Sequence, residues 1–203
     1  MIAIIDYGMG NIHSVQKALE SYGAKTTVTN QPQVLEDCDK VVLPGVGAFS
    51  DALEELKGHL LIASLIEHIK NKRTFLGICL GMQLLFNESE EAPGKNGLGV
   101  FGGEVKKFPD KKSLLVPHMG WNQLKKVASG CPLLKGIPES SYVYFCHSYY
   151  PEVLDKDIIA ATTDYGLDFP AVIWKDNIYG VQFHPEKSQE IGLRMIKNFV
   201  ELC

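Results

Sequence analysis

The chain has 203 residues, of which 45% are hydrophobic and 22% charged, and its formal net charge is −4. This length suits one domain, 1–203, because single hydrophobic cores split only beyond roughly 250 residues. The composition excludes disorder and fibrous repeats, and the negative charge disfavours a nucleic-acid partner. We expect a cytoplasmic protein with no membrane partner, because no apolar run approaches the ~18 residues of a membrane span and no signal-peptide pattern is present.

The number and spacing of the cysteines indicate whether disulfides or a zinc site are present. They are Cys38, Cys79, Cys131, Cys146 and Cys203. Their number is odd and no C-x-x-C spacing occurs, which argues against a disulfide framework and against a structural zinc site. We expect no metal and no cofactor.

Short apolar runs alternate with helical patterns in the first half of the chain. The predicted strands are Ile2–Asp6, Lys25–Thr29, Lys40–Leu43 and Thr74–Ile78, and the predicted helices are His13–Tyr22, Leu60–Asn71 and Leu80–Glu88. This βαβ rhythm is typical of a mostly parallel sheet covered by helices.

After Ala92-Pro93-Gly94 the pattern becomes more antiparallel, beginning with the glycine-rich alternation of Gly97–Phe108. Further strands are predicted at Ser113–Val116, Tyr142–Phe145, Ile158–Thr163, Ala171–Lys175 and Ile178–Phe183, before a last helix at Gln189–Leu202. The predicted fold class is therefore α/β. It is a three-layer sandwich with a mostly parallel central sheet flanked by helices, and with an additional antiparallel part in the second half.

Cys79 stands where an apolar strand meets a predicted helix, with Gly77 and Gly81 two residues to either side. This G-x-C-x-G spacing matches the nucleophile elbow, in which small neighbours permit a sharp turn that lifts the nucleophile above the sheet. A helix N-terminus would also favour the thiolate, which is the attacking species. The alternative is a buried structural cysteine, and this segment alone does not decide between the two.

A nucleophilic cysteine needs a base, and the best candidate is His184, which follows an apolar strand in His184-Pro-Glu186. Pro185 biases His184 toward extended backbone, so the side chains of His184 and Glu186 lie on one side of the chain. Glu186 could then orient the imidazole while the other ring nitrogen faces the thiol, as acyl transfer requires. The alternative is a solvated surface turn.

A third apolar strand ends in the glycine-rich loop Pro44-Gly-Val-Gly47. Ligands of open α/β sheets bind beyond the carboxyl ends of the strands, so this loop, Cys79 and His184 should meet at one edge. Backbone N–H groups of Leu80 and of Val46 or Gly47 could then form an oxyanion hole. The alternative is a plain turn. A phosphate cradle is disfavoured, because no P-loop lysine follows.

Six motifs together resemble a known family: Asp6-Tyr-Gly-Met-Gly-Asn11, Pro44-Gly-Val-Gly47, Gly77-Ile-Cys-Leu-Gly-Met-Gln83, Pro117-His-Met-Gly-Trp-Asn122, His147-Ser-Tyr149 and Phe183-His-Pro-Glu-Lys-Ser188. The pattern is similar to that of the class I (triad) glutamine amidotransferases. Within that class it resembles the glutaminase subunits of imidazole glycerol phosphate synthase.

The resemblance implies that Cys79 attacks the side-chain amide of glutamine and that His184 protonates the leaving ammonia. Water then releases glutamate from the thioester. It further implies a heterodimer with a separate cyclase subunit, a (β/α)8 barrel. That subunit would use the ammonia to form imidazole glycerol phosphate and an aminoimidazole carboxamide ribotide in histidine biosynthesis.

The resemblance also implies roles for residues outside the triad. The positions that match glutamine-binding residues are Gly47, Gln83, Glu91, Ser148 and Tyr149, and those that match the cyclase interface are Asn11, Trp121, Tyr144 and Lys187. Without the resemblance, Gln83 would be a partly exposed helix residue, Glu91 a member of an acidic run, and Trp121 a core residue.

Three other functions remain open at this point. One is another triad amidotransferase, serving anthranilate, aminodeoxychorismate or pyridoxal phosphate synthesis, against which Pro117-His-Met-Gly-Trp argues. A second is a non-catalytic binding module, against which the intact Cys79, His184 and Glu186 argue. A third is a redox-sensing cysteine protein of similar fold, which would not need His184-Pro-Glu186.

Overall fold

The computed structural model describes residues 1–110, 114–125, 128 and 130–203. The helices in these ranges are α1 (Ile12–Glu20), α2 (Phe49–Gly58), α3 (Leu61–Lys70), α4 (Leu80–Gln83) and α5 (Gln189–Leu202). The strands are β1 (Ile2–Ile5), β2 (Thr26–Thr29), β3 (Lys40–Gly45), β4 (Thr74–Cys79), β5 (Phe86–Ser89), β6 (Phe101–Lys107), β7 (His118–Gln123), β8 (Tyr142–His147), β9 (Tyr149–Val153), β10 (Ile159–Asp164), β11 (Asp168–Lys175) and β12 (Ile178–Val181). In the described part of the chain, every helix falls short of the length and apolarity that a membrane crossing needs.

A seven-stranded sheet with the order β10-β11-β12-β4-β3-β1-β2 forms the centre of the molecule. The five strands from β12 to β2 are parallel, and β10 and β11 add an antiparallel edge. The mostly parallel central sheet predicted from the sequence is confirmed.

Both faces of this sheet are covered, as β1 illustrates. Ile2 and Ile4 point into a hydrophobic core shared with α1 and α5, whereas Ala3 and Ile5 point into a second core shared with α2 and α3. Side chains alternate across a strand, so a strand with two buried faces reads as a continuous apolar run. Each buried isoleucine contributes roughly 1.5–3 kcal/mol to folding. The predicted three-layer sandwich is confirmed.

The second half adds two smaller sheets beside the carboxyl edge of the central sheet. One has the order β5-β6-β9, with β5 parallel and β9 antiparallel to β6, and the other is the antiparallel pair β7-β8. This is the antiparallel part that the sequence predicted.

The predicted helix Leu80–Glu88 is wrong beyond its first turn. The helix ends at Gln83, and Phe86–Ser89 forms a strand that pairs with β6. The N–H of Leu98 donates to the carbonyl of Leu84 at 2.7 Å, so a distant segment captures the backbone group that would have continued the helix. Tertiary pairing here overrides local helix propensity.

The predicted strand Ser113–Val116 is also not found. Ser113 lies outside the described residues, Leu114–Val116 has no strand pairing, and the strand in this region, β7, begins at His118. The sequence interpretation also missed α2 and β9. The remaining predicted strands and helices occur at their expected places in the chain order.

The sharp turn between β4 and α4 depends on glycine at two positions. A Cβ on Gly81 would overlap the carbonyl oxygen of Leu43, and one on Gly77 would overlap the backbone of Gly81. The close approach of β3 therefore leaves no room for a side chain at Gly81, and the tightness of the turn itself leaves none at Gly77.

We expect Gly81→Ala to lower the free energy of unfolding by about 1–3 kcal/mol, because overpacking forces the backbone to move. Gly58→Ala is the matched control, since Gly58 ends α2 and a Cβ there would meet open space. Urea unfolding of both variants tests this expectation. Equal losses would contradict it.

Candidate active site

The loop after β3, the turn after β4 and the segment after β12 meet at the carboxyl edge of the central sheet. Gly45 pairs with Cys79 in the β3–β4 register, and Val181 pairs with Ile78 in the β12–β4 register. His184, three residues beyond Val181, is thereby brought next to Cys79. The predicted convergence of the three segments is confirmed.

Cys79 adopts a conformation that a non-glycine residue rarely accepts, with φ 53° and ψ −106°. Such a residue stores on the order of 1–3 kcal/mol of strain, which the surrounding packing must hold. The residue is only 5% exposed. Because α4 has a single turn, its dipole contributes less to thiolate stabilisation than the sequence suggested.

His184 and Glu186 form a buried pair beside the thiol. The ring Nδ1 lies 2.9 Å from Glu186 Oε1, and the two side chains are 4% and 1% exposed. His184 has the extended backbone expected before Pro185, and it lines the same cleft as Cys79. The alternative of a solvated surface turn is therefore wrong.

The pKa of His184 is set by opposing effects. Burial disfavours the imidazolium, but the hydrogen bonds and negative charges of Cys79 and Glu186 outweigh it and raise the pKa to about 10. A protonated imidazole beside a sulfur is the arrangement that can deliver a proton to a departing amine.

A cleft of about 290 Å³ opens above this row of side chains. All residues predicted for the oxyanion hole and for substrate binding line it, namely Val46, Gly47, Leu80, Gln83, Glu91, Ser148 and Tyr149. The structure thus brings together every such residue that the sequence analysis named.

Gln83 lies in the floor of the cleft and is 4% exposed, so it is not the partly exposed helix residue of the alternative interpretation. Its Nε2 donates to the Tyr149 carbonyl at 2.9 Å and to Gln182 Oε1 at 3.2 Å. Both amide hydrogens are used within the protein. The group that Gln83 can offer to a ligand is its carbonyl oxygen.

Glu91 is placed at the cleft wall by the start of α2, because its Oε2 accepts the N–H of Phe49 at 2.9 Å. A carboxylate is favourable at a helix N-terminus. Partial burial and the charge of Glu91 raise the pKa of Tyr149, which lies on the same wall. Glu91 is therefore an ordered hydrogen-bond acceptor in the cleft. It is not simply one of several acidic residues in an exposed run.

Three residues predicted to face a partner lie in or beside the cleft wall. Trp121 is 45% exposed, which contradicts a core position. It meets the Tyr144 ring edge-on at 6.1 Å, and Tyr144 and Lys187 both line the cleft. Asn11 is the N-cap residue of α1 and directly follows Gly10, which packs against Pro44 in the glycine loop.

Sequence reasoning missed two buried polar groups behind the cleft. Tyr7 is fully buried against Gly45, and its hydroxyl has no hydrogen-bond partner among the residues that the structure describes. Burial and the charge of Cys79 raise the Tyr7 pKa. Gln182 is fully buried and places its Nε2 3.8 Å from Cys79 Sγ.

His118 and His147 form a third unforeseen feature, a buried pair with 3.0 Å between His118 Nδ1 and His147 Nε2. His147 Nδ1 lies 2.8 Å from the Tyr149 carbonyl, and Asn122 Nδ2 lies 3.2 Å from His118 Nε2. Burial lowers the pKa of His118 to about 4 and that of His147 to about 3, so both rings are neutral near pH 7.

Within the ranges 1–110, 114–125, 128 and 130–203, no group of three or more His, Cys, Asp or Glu side chains is arranged to hold a metal ion.

We expect the buried histidine pair to make the fold sensitive to mild acid. In the unfolded chain His147 has its ordinary pKa of 6.5, whereas burial lowers the pKa of folded His147 to about 3. Between these two values the unfolded chain binds a proton that the folded chain excludes. The free energy of unfolding therefore decreases as the pH falls through this window. One excluded proton corresponds to about 1.4 kcal/mol per pH unit. Urea unfolding of His147→Gln between about pH 6.5 and 4.5 should show a shallower slope than the unmodified chain.

His13→Gln is the control for this measurement, because His13 is exposed. It should keep the slope of the unmodified chain. A His147→Gln slope equal to that of His13→Gln would contradict the buried neutral state.

A family model, glutamine amidotransferase class-I, matches residues 3–203. Imidazole glycerol phosphate synthase subunit HisH of Methanocaldococcus jannaschii is 52% identical over 202 residues, and that of Syntrophotalea carbinolica is 48% identical over 207 residues. Both alignments cover 100% of this chain and 100% of the relative.

Solved structures agree at the level of the fold. A crystal structure of a glutamine amidotransferase superimposes with a TM-score of 0.77 at 17% identity, covering 99% of this chain and 98% of that one. The glutaminase domain of Trypanosoma brucei CTPS gives a TM-score of 0.70 at 16% identity, covering 98% and 90%.

Proposed function

Because this chain belongs to the class-I glutamine amidotransferase family, we propose that it hydrolyses L-glutamine to L-glutamate and ammonia. The observation that carries the proposal is that Cys79 and His184 line the same cleft while His184 is held by the buried carboxylate of Glu186. The full-length identity to HisH subunits supports a place in imidazole glycerol phosphate synthase and thus in histidine biosynthesis.

In the first half of the reaction, Cys79 Sγ attacks the side-chain amide carbon of glutamine. The carbonyl oxygen becomes an oxyanion, which the N–H groups of Leu80 and of the Val46-Gly47 segment stabilise. His184 gives its proton to the amide nitrogen, the carbon–nitrogen bond breaks, and ammonia leaves a thioester on the sulfur.

In the second half, neutral His184 takes a proton from water as the water oxygen attacks the thioester carbon. The carbon–sulfur bond breaks, and glutamate and the free thiolate are released. Glu186 keeps the imidazole in position throughout, through Nδ1.

Five residues are proposed to hold the substrate. Glu91 offers a carboxylate to the glutamine ammonium group, and Gln83 offers its free carbonyl oxygen. Gly47, Ser148 and Tyr149 complete the walls of the same cleft. A cleft of about 290 Å³ is compatible with one amino acid.

The partner is proposed to be a cyclase subunit with a (β/α)8 barrel, forming a heterodimer with this chain in the cytoplasm. The support is the exposed Trp121 beside Tyr144 and Lys187 at the cleft mouth, since exposed aromatic and basic side chains are typical interface anchors. Asn11 supports the same interface, because it lies in the connection that follows the carboxyl end of β1. The family model spans 3–203, which supports treating 1–203 as one domain.

We expect Cys79→Ser to abolish glutamine-dependent synthesis by the complex while leaving ammonia-dependent synthesis intact, because only the glutaminase step uses the thiolate. His184→Ala should separate the two activities in the same way, and Glu186→Gln should have a smaller effect. Both activities are measured as imidazole glycerol phosphate formed with glutamine or with ammonium salt.

Cys203→Ser is the control for these variants, because Cys203 lies at the end of α5, away from the cleft. It should keep glutaminase activity. Loss of ammonia-dependent synthesis in Cys79→Ser, or a normal glutaminase rate in it, would sink the assignment.

We expect Trp121→Ala to weaken binding of the cyclase subunit at least about tenfold, since exposed tryptophans at interfaces are frequent hot spots. Leu154→Ala is the matched control, because Leu154 is 78% exposed but follows the far end of β9. Titration of each variant with the cyclase subunit gives the dissociation constant. Equal affinities would place the interface elsewhere.

A further inference from the structure

Gln182 is a fully buried polar side chain that contacts the nucleophile and lies outside the triad. It directly follows β12, and its backbone N–H donates to the Ala171 carbonyl at 2.9 Å, which fixes its main chain in the sheet. Its side-chain Nε2 lies 3.8 Å from Cys79 Sγ, within the range of a hydrogen bond to sulfur.

The orientation of the Gln182 amide follows from its neighbours. The Tyr149 carbonyl can only accept, so the Gln83 atom 2.9 Å from it must be the NH₂ group. That NH₂ group also faces Gln182 at 3.2 Å, so Gln182 must present its oxygen there. Its own NH₂ group therefore points at Cys79 Sγ.

The same logic extends away from the thiol. The Tyr149 carbonyl also receives the Nδ1–H of His147, which leaves His147 Nε2 as the acceptor for His118 Nδ1–H. His118 Nε2 then accepts from the Asn122 amide. Hydrogen bonds that run in one direction from Asn122 through His118 and His147 thus hold the Tyr149 carbonyl in place. That carbonyl in turn sets the orientation of the Gln83 and Gln182 amides.

We propose that Gln182 is a positioning residue for the glutaminase reaction, which donates an amide N–H to the Cys79 thiolate in an orientation set by Gln83 and the Tyr149 carbonyl. The inference rests on the proposed function. Gln182 would stabilise the Cys79 sulfur at two stages of the reaction. The first is the attacking thiolate, and the second is the thiolate that leaves when water attacks the thioester.

The need for such a donor comes from the surroundings of the sulfur. A buried thiolate requires hydrogen bonds, and the one-turn α4 supplies little dipole. The Cys146 carbonyl, 4.0 Å from Sγ, is an acceptor and cannot stabilise a thiolate. His184 gives up its proton during the reaction, whereas an amide keeps both hydrogens at every step.

Gln182→Glu tests the proposal, because a carboxylate of the same shape still accepts from Gln83 but presents an oxygen to the sulfur. The isolated chain is alkylated with iodoacetamide at a series of pH values, and modification of the Cys79 peptide is followed by mass spectrometry. We expect the rate at pH 7 to fall at least about tenfold and the pH midpoint of alkylation to move up by about one unit or more.

Gln182→Met removes the donor without adding charge, and it should lower the rate at pH 7 by a smaller factor. Gln33→Glu is the matched control, since it adds the same charge at an exposed position and should leave the profile unchanged. Thermal unfolding shows whether each variant is folded. Alkylation profiles of folded Gln182→Glu and Gln182→Met that match the control would overturn the proposal.

The readout uses neither glutamine nor the cyclase, so it separates this proposal from the proposed function. A chain that fails to hydrolyse glutamine would still show the shift if Gln182 supports the thiolate. A chain that is an active glutaminase with unshifted variants would refute the role of Gln182 alone.

Discussion

The strained turn at Cys79 is the constraint on which the rest of the site depends. A non-glycine residue at φ 53° and ψ −106° persists only where the surroundings enforce it, and here the enforcing contacts are between β3 and the turn, at glycines that cannot carry a Cβ. The strain lifts the sulfur above the sheet edge. It also ends β4 at the point where the loop after β3 and the segment after β12 arrive.

The meeting of Cys79, His184 and Glu186 could be predicted because each residue has a local sequence signature and parallel strands end at the same edge of a sheet. Cys79 lies between two glycines, and Pro185 fixes the direction in which His184 and Glu186 point, so only the joining of two strand ends had to be inferred. Parallel strands share one carboxyl edge, which makes that inference safe. The continuous apolar runs likewise indicated a sheet that is buried on both faces.

What the sequence did not reveal depends on contacts between distant residues. The predicted length of α4 was wrong because the N–H of Leu98 hydrogen-bonds to the carbonyl of Leu84. The strand β7 was missed because its sequence is largely polar and contains a glycine. Gln182 gave no signal, since its partners Gln83 and Cys79 are about a hundred positions away. Hydrogen bonds of this kind exist only after the sheet has formed.

The strand β7 takes part in both the buried histidine pair and the exposed aromatic pair. Along it, His118 is buried and Trp121 is exposed, as the alternation of a strand dictates. Across the β7–β8 pair, His118 lies opposite His147 and Trp121 lies opposite Tyr144. The exposed aromatic residues and the hydrogen-bonded histidines therefore lie on opposite faces of the same two strands. Any displacement of β7 and β8 would change the hydrogen bonds that hold the Tyr149 carbonyl.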